Sequence, residues 1–222
     1  MRTAGCILVA LSVVVPVMAG DIVAMPTGNT VAPRHVELNY IRWDLENPVI
    51  SPDQVGGPPR YADIYEGFLG VFDRLELDVL HVDLDRVDTF TEVNAYLTLV
   101  KESADYPSVI VGATNILGSD WLDGRDEVSP FILGSYNANV PQGPPSLNDP
   151  LIRLHFGYGS DYHDGIFGGM QGLLQPWLGF AVLNYQHQPA YMATLIPAKW
   201  VELTYGTKNG DPFYRAGLFF DW

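Results

Sequence analysis

The last eleven residues, Pro212 to Trp222 (PFYRAGLFFDW), alternate in period two up to a terminal aromatic. Tyr214, Ala216, Leu218, Phe220 and Trp222 fall on one side, and Arg215, Gly217, Phe219 and Asp221 on the other. Successive side chains of a strand point to opposite faces, so this is a strand with one strongly apolar face. Such a strand at a free edge is an aggregation template unless another strand covers it. The pattern predicts a closing strand that pairs back onto the start of its own sheet, as in a barrel.

The alternation recurs upstream. Val93, Ala95, Leu97 and Leu99 alternate with Glu92, Asn94, Tyr96 and Thr98, and Ile152, Leu154, Phe156 and Tyr158 with Arg153, His155, Gly157 and Gly159. Segments of about ten residues with this pattern, separated by turn residues, are the signature of transmembrane strands. They fall near 36–45, 61–72, 75–84, 90–102, 107–116, 130–140, 151–160, 165–174, 178–186, 189–197, 199–207 and 212–222. Twelve strands close an antiparallel barrel with both termini on one side; merging two short neighbours would leave ten. Helical signals are poor, because 22 Gly and 17 Pro interrupt every candidate stripe. The expected fold is therefore all-β: a closed antiparallel transmembrane β-barrel of about 12 strands. In two segments the apolar face changes sides, from Val36, Leu38, Tyr40 to Ile41, Trp43, Leu45, and from Leu75, Leu77, Val79 to Leu80, Val82, Leu84. A bulge in each strand would produce that change, as would an upper strand end raised beyond the bilayer.

Residues 1–19 read as a secretory signal peptide, with basic Arg2, an apolar run from Ala4 to Val17 and small Ala19 before Gly20. Residues 20–222 then form the barrel domain, and the sole cysteine, Cys6, lies within the signal. The formal net charge of −14 disfavours nucleic acid, whose phosphates demand Lys and Arg. Charged residues make up only 17% against 47% hydrophobic ones, so much apolar surface needs a lipid partner. The expected location is the bacterial outer membrane, with lipid and lipopolysaccharide as neighbours. Tight connections at 73–74, 175–176 and 197–199 and long ones at 46–60 and 117–129 fit short periplasmic turns and longer outer loops, whereas the proline-rich linker 141–150 departs from that rule.

Inward polar positions include Glu66, Glu92, Asn94, Arg153, His155, Glu202 and Arg215, and also Glu37, Asn39, Glu76, Asp78, Thr98, Ser135, Asn137, Asn139, Thr204 and Asp221. Their acidic excess predicts weak cation preference along any open path. Two polar groups compete for a catalytic or metal role. Ser160, His163 and Asp164 in the loop SDYHD carry the elements of an activated hydroxyl, which an outer-membrane-embedded lipid hydrolase would use. Ordinary loop capping by Ser and Asp explains the same residues. Asp120, Asp123, Asp126 and Glu127 make an oxygen-rich loop suited to a hard cation, although without the ligand order of a calcium-binding loop. No cofactor is expected.

LHFGYGSDYHDGIFGG at 154–169, a Pro-Trp-Leu turn at 176–178, Pro197 followed by Trp200, and PFYRAGLFF near the end resemble the final strands of YjbH-like outer-membrane barrels. VGATNILG at 111–118 and FDRLELDV at 72–79 fit the same pattern. This resemblance implies a link to exopolysaccharide and to envelope structure. Separately, the C-terminal aromatic Trp222 on the final strand, with Phe220 on the same face, resembles the signal read by the outer-membrane assembly machinery. The reading is thus a non-enzymatic outer-membrane barrel, an envelope or exopolysaccharide-associated component or small cation-preferring pore, with the lipid hydrolase as alternative.

Overall fold

The computed structural model describes residues 35–45, 60–85, 89–103, 106–117, 128–138 and 151–221. Twelve strands run in sequence: β1 (His35–Asp44), β2 (Tyr61–Phe72), β3 (Leu75–Leu84), β4 (Phe90–Val100), β5 (Ser108–Thr114), β6 (Ser129–Asn137), β7 (Leu151–Gly159), β8 (Gly165–Gln175), β9 (Leu178–Tyr185), β10 (Gln188–Ala198), β11 (Val201–Lys208) and β12 (Asp211–Asp221). Each pairs antiparallel with its sequence neighbours, and β1 pairs with β12 from His35↔Asp221 to Trp43↔Phe213. The sheet is a closed barrel, so the apolar terminal strand has no free edge. A single 3-10 turn, Asp161–His163, is the one helical element among the described residues, and no described helix is long and apolar enough to cross a membrane.

Outward positions carry Leu38, Tyr40, Tyr65, Leu69, Phe156, Tyr158, Tyr191, Leu203, Tyr205, Tyr214, Leu218 and Phe220, all exposed. A water-soluble chain would bury such a belt; on a barrel it is the face that meets hydrocarbon. Tyr40 and Tyr65, and Tyr205 and Tyr214, meet as tilted ring pairs across neighbouring strands with centroids 5.5 and 5.1 Å apart. Trp177 and Trp200, both exposed, sit in the turns at the end where β1 begins and β12 ends, a position at which amphipathic rings anchor a membrane barrel to the interface.

The two face changes have a different cause from the expected bulges. β1 keeps an unbroken register with β12 and β2, and β3 keeps one with β4. Register shifts occur instead at Gly70/Phe72, Thr98/Val100, Leu173/Gln175 and Leu195/Ala198, all beside connections at the end where β1 begins and β12 ends. The strands do not slip; the lumen changes character along its axis. Glu37 and Asn39 point inward on β1 and so does Ile41, while Glu76 and Asp78 on β3 are followed inward by Val82 and Leu84. On β1 and β3 the inner face is polar toward the end where β1 begins and β12 ends, and apolar toward the opposite end.

Candidate functional site in the barrel lumen

Strand alternation alone directs Glu37, Asn39, Glu66, Glu202, Thr204 and Arg215 inward, and closure of β1 on β12 brings them together. Arg215 pairs with Glu37 and lies 3.9 Å (Nη1 to Oε1) from Glu202. Asn39 Nδ2 donates to Glu37 Oε1 at 2.9 Å and to Glu66 Oε2 at 3.0 Å. Thr204 donates to Glu202 Oε1 at 3.1 Å and shares a 2.8 Å hydroxyl contact with Thr194. On the β3–β4 wall, Asn94 donates to Asp78 at 2.7 Å and accepts from the Asn115 backbone N–H at 2.9 Å. Glu76 and Glu92 are buried on the same wall. Carboxylates dominate this layer, with Arg215 as its deeply buried cation.

Beyond the polar layer the lumen is packed. One contiguous cluster includes Ile41, Ile64, Val82, Phe131, Phe167, Leu183, Tyr185, Met192 and Phe213, all buried. Three phenylalanines reach across the wall by lying on a glycine directly opposite: Phe131 on Gly112, Phe167 on Gly157 and Phe213 on Gly206. A Cβ at those glycines would stand 2.4, 2.4 and 2.5 Å from ring carbons, so only glycine admits the rings.

The 3-10 turn caps this cluster. His163 is fully buried, with its ring 4.7 Å from that of Phe131 and 5.7 Å from that of Phe167. Its Nε2 lies 3.2 Å from the Ser129 carbonyl oxygen and therefore donates, which makes Nδ1 the acceptor for the Tyr185 hydroxyl at 2.7 Å. Burial pushes the His163 pKa down to about 4, against a raising contribution from the Ser129 carbonyl, so the ring is neutral at pH 7.

The loop residues singled out for hydrolysis are not assembled as a triad. The Ser160 hydroxyl donates to Asp161 at 2.6 Å, both ring nitrogens of His163 are engaged as above, and Asp164 faces His187 at 3.6 Å on the exposed rim. The acidic loop Asp120, Asp123, Asp126 and Glu127 lies outside the described residues, as do residues 1–19, Asn139, the linker 141–150 and Trp222. Phe220 is on the outer face and pairs with Val36. Glu66, Glu92, Asn94, His155, Glu202 and Arg215 are buried facing inward, Arg153 is half-buried and pairs with Glu102, and Asp221 is at the rim with His35 at 2.6 Å. A contact not legible from spacing is the buried pair Ser135 Oγ and His155 Nδ1, 2.7 Å apart at directly opposed positions of β6 and β7. Only the register of those strands could have revealed it. On the outer wall, Gly134 leaves an apolar groove of about 460 Å³ among Ile132, Tyr136, Leu154, Phe156 and Tyr158.

A KdgM porin shares the architecture: the match has a TM-score of 0.53 over 85% of this chain and 99% of that chain, at 12% sequence identity. The fold is porin-like. No protein-family model and no curated protein matches the chain. Nothing in these comparisons points to YjbH-like barrels in particular. The motifs that carried that resemblance form β7, the 3-10 turn, β8 and β12 of the porin-like barrel, where glycine and aromatic residues serve the packing of any wall of this build.

Proposed function

We propose that this chain is a non-enzymatic outer-membrane barrel whose lumen is closed by its own side chains, serving as an envelope component rather than as an open pore. The observation that carries the reading is the apolar cluster. It draws members from every strand except β7 and β11, which present Gly157, Gly159 and Gly206 beneath aromatic rings and His163. Barrels of about eight strands are filled by side chains, and those of sixteen or more keep a channel. Twelve strands permit either, and here the contiguous buried cluster, with its three phenylalanines, favours filling. Association with exopolysaccharide belongs to this proposal on the strength of the sequence resemblance alone.

A second reading is a small cation-preferring pore, favoured by the carboxylates of the polar layer and by the likeness to a porin. Planar-bilayer recording with folded protein separates the two. A closed barrel is silent, whereas a steady conductance whose reversal potential follows potassium over chloride would establish the pore. The lipid hydrolase is tested by assaying phospholipid and lipid A hydrolysis in the wild type and in Ser160→Ala and His163→Ala; activity lost in both variants would reinstate it.

A further inference from the structure

Asn39, Gly217 and Glu202 form one row across three adjacent strands, because Gly217 on β12 is the direct partner of both Asn39 on β1 and Glu202 on β11. The missing side chain of Gly217 leaves a small hollow in that row into which Asn39 Oδ1 projects: a Cβ there would stand 2.7 Å from Asn39 Oδ1 and 3.6 Å from both the Cβ of Glu202 and the Cζ of Phe219. Around the hollow, hydrogen bonding is lopsided. The donors of Asn39, Thr204 and the Arg215 terminal nitrogens reach Oε1 of Glu37, Oε1 of Glu202 and Oε2 of Glu66. Glu37 Oε2, Glu202 Oε2 and Asn39 Oδ1 are buried and have no donor among the described residues. The one spare donor here, Arg215 Nε, would serve at most one of these three acceptors.

The charges are lopsided in the same direction. Arg215 faces both Glu37 and Glu202, one guanidinium against two carboxylates. Burying unbalanced carboxylates and acceptors without donors is unfavourable unless a positive group supplies what the protein does not. One carboxylate beyond what Arg215 balances and three hard oxygen atoms define that group.

We propose that the row over Gly217 is a binding site for one divalent cation of the magnesium or calcium class, held by Glu37 Oε2, Glu202 Oε2 and Asn39 Oδ1. A hard ion takes carboxylate and amide oxygens, and magnesium characteristically pairs one or two carboxylates with retained waters. The ion ties β1 to β11 across β12, so it fastens the seam at which the barrel closes. This inference goes beyond the closed-barrel reading and does not depend on it, since a lumen ion is compatible with either a silent or a conducting barrel.

The test is ion titration of the full chain, folded in lipopolysaccharide-free detergent after chelation, with magnesium, calcium and sodium chloride tried separately. Calorimetry should show about one divalent ion bound per chain, and the unfolding temperature should rise with ion concentration, as for any ligand of the folded state. Glu202→Gln removes one ligand charge, and Gly217→Ala fills the hollow by displacing only the free end of the Asn39 amide. Each should abolish the ion-dependent rise, which is measured within each variant and so is independent of its basal stability. A variant with Asp120, Asp123 and Asp126 changed to Asn should keep the rise, separating this site from the acidic loop. No divalent-dependent rise in wild type, a rise with sodium alone, or an undiminished rise in both Glu202→Gln and Gly217→Ala would overturn the proposal.

Discussion

Phe213 on β12 lies directly over Gly206 on β11, its Cζ 2.5 Å from the place a Cβ would occupy. The Tyr191 carbonyl oxygen and the Met192 Cβ crowd the same point at 2.6 and 2.8 Å, so neither ring nor backbone has room to yield. Gly206→Ala should destabilise the barrel by about 1–3 kcal/mol, the usual range for overpacking a filled interior. Urea unfolding followed by heat-modifiable gel migration measures it. Part of the loss should return in the double variant with Phe213→Leu, and an unchanged midpoint in Gly206→Ala would refute the contact.

Arg215 is the buried partner of Glu37. Arg215→Met strands two carboxylates in the lumen and should cost about 3–5 kcal/mol, because removing one member of a buried pair leaves the other charge uncompensated. Adding Glu37→Gln should reduce that penalty. Equal destabilisation in the single and double variants would show that the pair is not coupled.

His163 supplies a pH dependence. Its pKa is pushed down to about 4 in the folded barrel, below the value near 6.5 expected when unfolded, so the unfolded chain binds the proton more readily. Stability from this residue is fully present above pH 6.5 and is lost as pH falls from there toward 4. Unfolding midpoints measured between pH 7.5 and 4 should decline through that window, and His163→Gln should flatten the decline. A wild-type curve already flat would place the ring outside the packed mouth.

If the aromatic layer closes the lumen, thinning it should open a path. Phe131→Ala combined with Phe167→Ala removes two rings from the cluster beneath His163. The double variant should conduct where wild type does not. Its selectivity should favour cations, because any path through the barrel passes the carboxylates of the polar layer. Conductance equal to wild type in a folded double variant would mean that the rings are not the barrier.

Phe220 occupies the outer face of the closing strand, directly opposite Val36 of β1. Deleting Trp222 should lower the yield of heat-modifiable barrel in membrane fractions, and Phe220→Ser should lower it further. Unaltered insertion of both variants would remove the assembly-signal reading while leaving the barrel intact.

Twelve strands and their facings were legible because strand alternation is local: Leu97 and Thr98 take opposite sides whatever the rest of the chain does. The candidate site was legible only in part. Glu37, Glu202 and Arg215 could be placed on the inner face from period two, but not beside one another, since Glu37 and Arg215 are 178 residues apart in sequence. The face changes at Ile41 and Leu80 misled for a physical reason. Period two cannot tell an apolar residue facing lipid from one facing an apolar part of the lumen, and Ile41 and Val82 belong to the buried cluster inside.

By itself the sequence determined an antiparallel membrane-type barrel with an acidic inner wall, because turn residues and period-two hydrophobicity act within ten residues or so. Tertiary structure decided what fills it. Register set Ser135 against His155 and each phenylalanine against its glycine, and ring closure brought Asn39, Gly217 and Glu202 into one row. Those relationships depend on which residues of different strands stand opposite, a quantity fixed only when every backbone hydrogen bond of a closed sheet is satisfied at once.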